Sequence, residues 1–394
     1  MSITRVDQVT RTAVAVLAAL LLLAVGGRAA WSQQDEIDQL KKAVADLQKR
    51  IDTLEEKQKK EAEMEAKAPK PVESGFGKIK LGGLMQNWIT SDSGPDAHES
   101  YRLRRMELKV SGDINERAGW TVMFDPAKNL LLNAGPPVSA NQRTTILQDA
   151  FMAYKINDNW TVDIGQEKLP LSLEGLQSSA KLDTVERALF MTGARNASIG
   201  YGDVRSLGIQ LKGRFQQADL TLGLVNDAGE LQNTTDSNDS KNITGRFVVR
   251  PPGAEGLQLG ISGFAGGGAG ATSLTRNRLG GEALYQHEGW TLKSEYMTGT
   301  DQAAAGGPDF DRTGWYFHVG KQLNPKWEAV ARYDTWDPDE IGNGGVNPEE
   351  KDTVVGFNYL LEQFHAKLQL NYVHKNFDGV EDRNQILVNA QTAW

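Results

Sequence analysis

The 394-residue chain contains no cysteine. Disulfide scaffolds and thiolate metal sites are excluded on that ground. Long apolar runs are also missing. The longest, Ala13 to Val25, is too short to cross a bilayer as a helix, which needs roughly 20 residues. A helical membrane bundle is therefore ruled out, but a barrel is not, because its strands alternate lipid-facing and lumen-facing residues. No block of basic residues is present, and the net charge is −8, so nucleic acid is a poor partner. The histidines, at 98, 287, 318, 365 and 374, have no ligand spacing. The glycine run at 266–270 is not followed by the Lys-Ser/Thr of a phosphate loop. No nucleophile stands near a base in the pattern of a hydrolase. Neither an enzyme nor a cofactor is expected.

What is present divides the chain. Arg5 and Arg11 precede the 13–25 apolar run, and small residues follow it. This is the layout of a secretory signal peptide over residues 1–30, with cleavage after Ala29 or Ser32. Export follows from it. Next, Ile37, Leu40, Val44, Leu47, Ile51 and Leu54 repeat at spacings of 3 and 4. Such an a/d seam predicts a short α-helical coiled coil over 34–67. It is too short to be stable alone. Pro69 and Pro71 end it, and 68–75 read as a linker. Residues 1–75 hold equal numbers of basic and acidic side chains, so the negative charge belongs to the remainder.

From residue 76 to 394 the period changes to two. Sixteen segments suit strands: 78–90, 101–111, 118–126, 144–156, 159–167, 205–215, 218–226, 241–250, 256–264, 276–287, 290–298, 312–321, 326–336, 351–361, 364–374 and 384–394. Most are near the length at which a tilted strand crosses a bilayer. Short connections alternate with long polar ones, seven against eight. An up-and-down barrel with both termini on the short-turn side must produce that count, and a β-sandwich does not. The fold expected is all-β: a 16-stranded antiparallel transmembrane β-barrel behind a short coiled coil.

Apolar and polar faces separate along each strand. In the penultimate one Phe364, Ala366, Leu368, Leu370 and Tyr372 oppose His365, Lys367, Gln369 and Asn371. Trp120, Trp160, Trp290 and Trp327 each follow a short turn, as a girdle at one membrane interface requires. The chain ends at an aromatic, Trp394, which resembles the assembly signal of bacterial outer-membrane barrels.

The same phase turns Arg105, Lys212, Arg214, Arg246, Arg250, Arg278, Lys293 and Arg332 inward. A file of such cations would replace part of the hydration of a small anion, and Arg does so with a planar fork. Acids point inward too: Asp149, Asp163, Glu282, Glu295 and Glu328. Glu282 is four residues from Arg278, and Glu328 four from Arg332. An anion-preferring lumen and a balanced, salt-bridged one are both open. Strict alternation would put Arg104 in lipid. It must therefore lie near the outer rim, or a β-bulge must shift the register.

The 168–204 connection carries Leu171, Leu173, Leu176, Leu182, Val185, Leu189 and Phe190, too many apolar residues for a solvated loop. It is expected to fold into the lumen as a constriction, with helical turns within 178–190. Capping the outside of the barrel, or packing on a neighbouring subunit, is the other reading.

Several motifs in order resemble the phosphate-selective porin O and P family: Arg102-Leu-Arg-Arg-Met-Glu-Leu-Lys-Val-Ser-Gly112, Gln148-Asp-Ala-Phe-Met-Ala-Tyr154, Gly165-Gln-Glu-Lys-Leu-Pro-Leu-Ser-Leu-Glu174, Val185-Glu-Arg-Ala188, Arg205-Ser-Leu-Gly-Ile-Gln-Leu-Lys-Gly213 and Val330-Ala-Arg-Tyr333. The resemblance implies a trimeric outer-membrane porin whose third outer loop folds inward, with arginines and lysines drawing small anions such as phosphate. A periplasmic coiled coil would then allow contact with the cell wall. A structural tether, with the barrel as its anchor, is the competing function.

Overall fold

Sixteen segments with apolar and polar residues in alternation do form sixteen strands. A computed structural model describes residues 72–74 and 77–394, apart from 95–97, 129–130, 133–139, 142–145, 192–202, 227–235, 237–238, 269–273, 303–306, 308 and 339–348. Of the N-terminal segment it describes only Lys41, Lys42, Val44, Ala45 and Gln48, all helical and exposed. The signal peptide, most of the coiled coil and most of the linker lie outside the described residues.

The strands are β1 Gly77–Asp92, β2 Ser100–Asp113, β3 Ala118–Phe124, β4 Leu147–Lys155, β5 Trp160–Lys168, β6 Arg205–Arg214, β7 Ala218–Asn226 and β8 Lys241–Val249. They continue as β9 Leu257–Gly268, β10 Leu274–His287, β11 Trp290–Gln302, β12 Asp309–Asn324, β13 Trp327–Asp337, β14 Glu350–Glu362, β15 Ala366–Phe377 and β16 Val380–Ala393. Each pairs antiparallel with the next. The last pairs with the first, from Gln385 opposite Asp92 to Ala393 opposite Leu84. The sheet is closed and has no edge, as hydrocarbon demands of any sheet that spans it. Among the described residues no helix is long and apolar enough to cross a membrane, which leaves the crossing to strands.

The side-chain distribution is inverted relative to a soluble protein. Leu224, Ile243, Ile261, Phe357 and Leu370 are exposed, Ile243 at 62%. Asn389, Gln210, Arg105, Asp334 and Asn371 are buried, Asn389 at 0%. A soluble barrel would hide the first set, whereas a barrel whose outer solvent is lipid displays it. At the short-turn end Trp120 packs over Gly112, and Trp160 over Gly213, each from the neighbouring strand. These rings belong to the aromatic girdle expected there.

The expected bulge is present. Gln86 pairs with Arg105 and Asn87 with Leu103, so Arg104 is the extra residue. The shift explains how three basic residues within four positions avoid placing a guanidinium in lipid. Met106, Leu108 and Val110 keep the outward phase below it.

Candidate functional site

The site grows from the long connection after β5. Its residues 169–191 pack against the polar inner faces of strands all around the barrel. Leu169 and Leu171 form one apolar cluster with Val204, Val225 and Phe264. Val185 joins Trp88, Val354, Val373 and Leu387. Ala188, Leu189, Phe190 and Met191 join Met297, Tyr316 and Trp336. The three clusters of buried apolar residues among the described residues thus each join this segment or its end at Val204 to the inner wall.

Backbone groups in the segment are satisfied by wall side chains. Glu295 accepts from the Leu173 and Glu174 amides at 2.8 and 2.9 Å, and from the Tyr316 hydroxyl at 2.8 Å. Asn371 accepts from the Val185 amide at 2.7 Å, and Asp334 from the Leu189 amide at 2.9 Å. Lys367 donates to the Leu182 carbonyl at 2.6 Å. Gln86 and Gln391 donate to the Ser179 and Ala180 carbonyls. Such pairing replaces the water that a loop normally needs. Regular structure is accordingly brief: a single α-turn at Leu173–Leu176, capped by Ser172, and a 3₁₀ turn at Ser179–Lys181. Of the helical turns expected within 178–190, one forms, the 3₁₀ turn at Ser179–Lys181; the α-turn lies before that stretch, and the remainder is bent chain because the wall, not a helix, supplies its partners. Inside the segment, buried Arg187 donates to the Glu174 and Gln177 carbonyls and the Ser179 hydroxyl. Glu174 in turn accepts from the Ala188 amide at 2.8 Å.

The eight basic residues singled out from the sequence share the inward phase, but their surroundings differ. Arg105 donates to Gln86 at 2.7 Å and stands 3.9 Å from Glu186 of the docked segment. Lys212 lies against Asp163, at 2.7 Å, and Glu167. Arg246 forms a two-pronged pair with Glu282, and Arg278 another with Asp301 at 2.7 and 2.9 Å. Lys293 meets Asp183 at 2.6 Å and Glu174 at 3.8 Å. Arg332 holds Thr184 and the carbonyls of Glu186 and Arg187, with Asp334 at 3.3 Å and Glu174 at 3.6 Å. Arg250 and Arg214 are placed differently, at the short-turn rim. Arg250 pairs with Asp219 at 2.9 Å, and Arg214 is exposed, in register with the same Asp219.

Two pairings suggested by spacing are not made. Glu282 binds Arg246, not Arg278, and Glu328 accepts from Asn358, not from Arg332. Positions four apart on a strand are about 13 Å apart along it, beyond easy reach.

Arg104, which the sequence placed at the rim or at a bulge, is turned by the bulge, reaches Glu186 at 3.3 Å and stacks on Trp88 at 5.1 Å. Other charged groups escaped the sequence reading. Arg205 meets Asp149 at 2.6 Å, and Lys168 meets Asp203 at 2.7 Å. Arg276 and Arg312 join Arg278 around Asp301, at 3.5 and 3.1 Å. Both were legible in principle, since Arg276 shares the phase of Arg278 and Arg312 opens the alternating segment 312–321. Asp183, in the docked segment, carries the clearest electrostatic signature. Burial pushes its carboxyl up, but Lys293, His318 and Lys367 together outweigh burial and hold it below the usual carboxylate range.

A closed 16-strand antiparallel barrel with an apolar outside, a polar inside and a segment docked on the inner wall is the porin class of fold. Solved structures agree. The chain superposes on the anion-selective porin from Comamonas acidovorans with a TM-score of 0.61 at 14% identity, covering 80% of this chain and 99% of that one. It superposes on Salmonella typhi OmpF in complex with daunomycin at 0.60 and 10%, covering 82% and 100%. For the trimer form of OmpT from Vibrio cholerae the values are 0.55 and 11%, covering 81% and 99%. No curated protein matches in sequence. The family model described as "Phosphate-selective porin O and P" matches residues 86–266 and 264–393, and the chain belongs to that family. It is an outer-membrane porin.

Proposed function

We propose that the barrel gives passive passage to small hydrophilic solutes past a constriction formed by residues 169–191, with at most a slight preference for anions. The observation that carries this reading is the partnering of the lumen cations. Arg105, Lys212, Arg246, Arg278, Lys293 and Arg332 each have a carboxylate within 4 Å. A cation so matched presents little net field to a passing ion. A dedicated phosphate filter would need guanidinium groups open to the ligand.

The slight anion preference is supported at one place, where Arg276, Arg278 and Arg312 share the Asp301 carboxylate near the long-loop end of β10–β12. The family name and the anion-selective neighbour point the same way. The trimer form of one neighbour supports a trimeric assembly, and the N-terminal heptads are assigned to the periplasm.

Reconstitution in a planar bilayer under a KCl gradient tests the reading. A small reversal potential of anion-selective sign is expected, together with chloride current that millimolar phosphate does not block. A strong potential of either sign, or block by phosphate, would overturn it.

A further inference from the structure

The docked segment leaves one side of the inner wall uncovered. The wall residues in its apolar clusters come from β1, β7, β9 and β11 to β16. Among the described residues no cluster member lies on the adjacent strands β2, β3, β4 and β5. Inward residues on that flank reach water: Glu107 and Thr121 are half-buried, as is Phe151, and Lys109 is exposed.

The ion pairs beside this flank are unequally exposed. Glu186 is 18% exposed and its partner Arg105 2%; Asp149 is 16% exposed and its partner Arg205 3%. Arg187, paired with Asp203, is fully buried. The carboxylates therefore meet the water, and these guanidinium groups lie behind them. Two cations of the same cluster reach water, and both are held. Arg104 lies on the Trp88 ring and Glu186, and Lys168 binds Asp203 and the Gly175 carbonyl. The order is the reverse at Lys212 and Arg246, which are more exposed than the acids they bind.

Glu107 differs from all of these. Its neighbours Met106 and Leu108 face lipid, so its carboxylate points inward, two residues from Arg105 and two from Lys109. Among the described residues no hydrogen bond or ion pair reaches it. It acts on Arg205 through space, as Asp149 does by contact. Fastening the segment accounts for the Arg105–Glu186 and Arg205–Asp149 pairs. It does not account for Glu107, which fastens nothing.

We propose that Glu107 is the charge-selecting residue of the constriction. Ions pass between the 183–187 stretch and β2–β4, where Glu107, Asp149 and Glu186 present carboxylate oxygens. This rests on the porin reading above and deepens it. Oxygen ligands replace part of the hydration of a small cation, and neutral solutes pass without a charge penalty. A doubly charged anion is repelled twice as strongly as chloride. The narrow point thus opposes the anion preference of the arginines at the long-loop end, and Lys109 offsets it in part.

The cysteine-free chain allows a direct test. Full-length Glu107→Cys is inserted in a planar bilayer under a dilute KCl gradient. It is then treated with a methanethiosulfonate carrying a sulfonate or one carrying a trimethylammonium group. The cysteine variant is expected to shift the cation-to-anion permeability ratio about fivefold towards anions at low ionic strength. The sulfonate should return it to the wild-type value, and the ammonium should drive it further. Because charge is restored in a channel already inserted, a folding defect cannot imitate the rescue. Lys109→Cys should give the opposite shift. Reversal potentials unmoved by either reagent would overturn the proposal, and so would a thiol that neither reagent reaches, since a residue on the ion path is open to reagents of ion size. Failure of the porin reading looks different: wild type would then carry no current.

Discussion

The indole of Trp394 lies over Gly83, and the two residues exchange backbone hydrogen bonds of 2.9 and 3.1 Å. The last residue of the chain thus joins the closing seam between β16 and β1. A Cβ at position 83 would stand 2.3 Å from the indole ring, closer than any real contact. Gly83→Val must therefore push the ring off the seam. Overpacking of this kind costs about 1–3 kcal/mol. The midpoint of the heat-induced mobility shift on detergent gels should fall, with a smaller fall for Gly83→Ala. An unchanged midpoint for the valine variant would show that the ring can move freely and that the seam does not depend on it.

A second close approach fixes the docked segment. Gly314 on β12 faces Phe190, and a Cβ there would meet the Phe190 Cβ at 2.7 Å and its ring at 2.9 Å. Phe190 also stacks near Tyr316, with ring centroids 6.1 Å apart. Gly314→Val should evict Phe190 and loosen the segment from this side, raising single-channel conductance. Adding Phe190→Ala removes the clash, so the double variant should recover part of the lost thermal stability, a non-additive result. Equal conductance in wild type and Gly314→Val would count against a constriction anchored here.

All sixteen strands were legible because the two faces of each meet different solvents, and the period of two is enforced along the whole strand. The site was less legible, for three physical reasons. The broken alternation at Arg104 pointed to the rim or to a bulge, but which of the two holds could be settled only once β1 and β2 were paired. Ion pairs form across strands: the Glu282 side chain passes over Gly260 on β9 to reach Arg246 on β8, a path open only because residue 260 has no side chain. Finally, the apolar residues of 168–204 revealed that the segment is docked but not its conformation. Wall carboxylates and amides satisfy Leu173, Glu174, Val185 and Leu189 without a helix.

Asp183 gives the docked segment a pH dependence. Its carboxyl is held below the usual range, with Lys293 at 2.6 Å and His318 at 3.6 Å. A carboxylate with a lowered native pKa contributes stability above the unfolded value of about 4, and that contribution is lost as pH falls through the native pKa. Conductance recorded from neutral pH downward should stay level until below about pH 4, then rise or become noisy as the Lys293 contact is released. Asp183→Asn should show the loosened behaviour already at neutral pH and lose the acid step. A step near neutrality in wild type would mean that another group governs the segment.

Asp301 sets how strongly the long-loop end of the lumen favours anions. Three guanidinium groups lie within 3.5 Å of its carboxylate. Asp301→Asn removes the negative charge they share and leaves the basic charge in place, so anion preference should increase. Arg312→Ala removes one of the three and should decrease it. A unit charge about 4 Å from a passing ion in water changes its energy by about 1 kcal/mol, or roughly fivefold in relative permeability. Salt screens this effect, with a Debye length of about 30 Å at 0.01 M and 3 Å at 1 M. Reversal potentials of the two variants should therefore diverge from wild type in opposite directions at low ionic strength and converge with it in molar KCl. If both variants matched wild type at low salt, the cluster would lie off the ion path, and any selectivity would have to arise lower in the barrel.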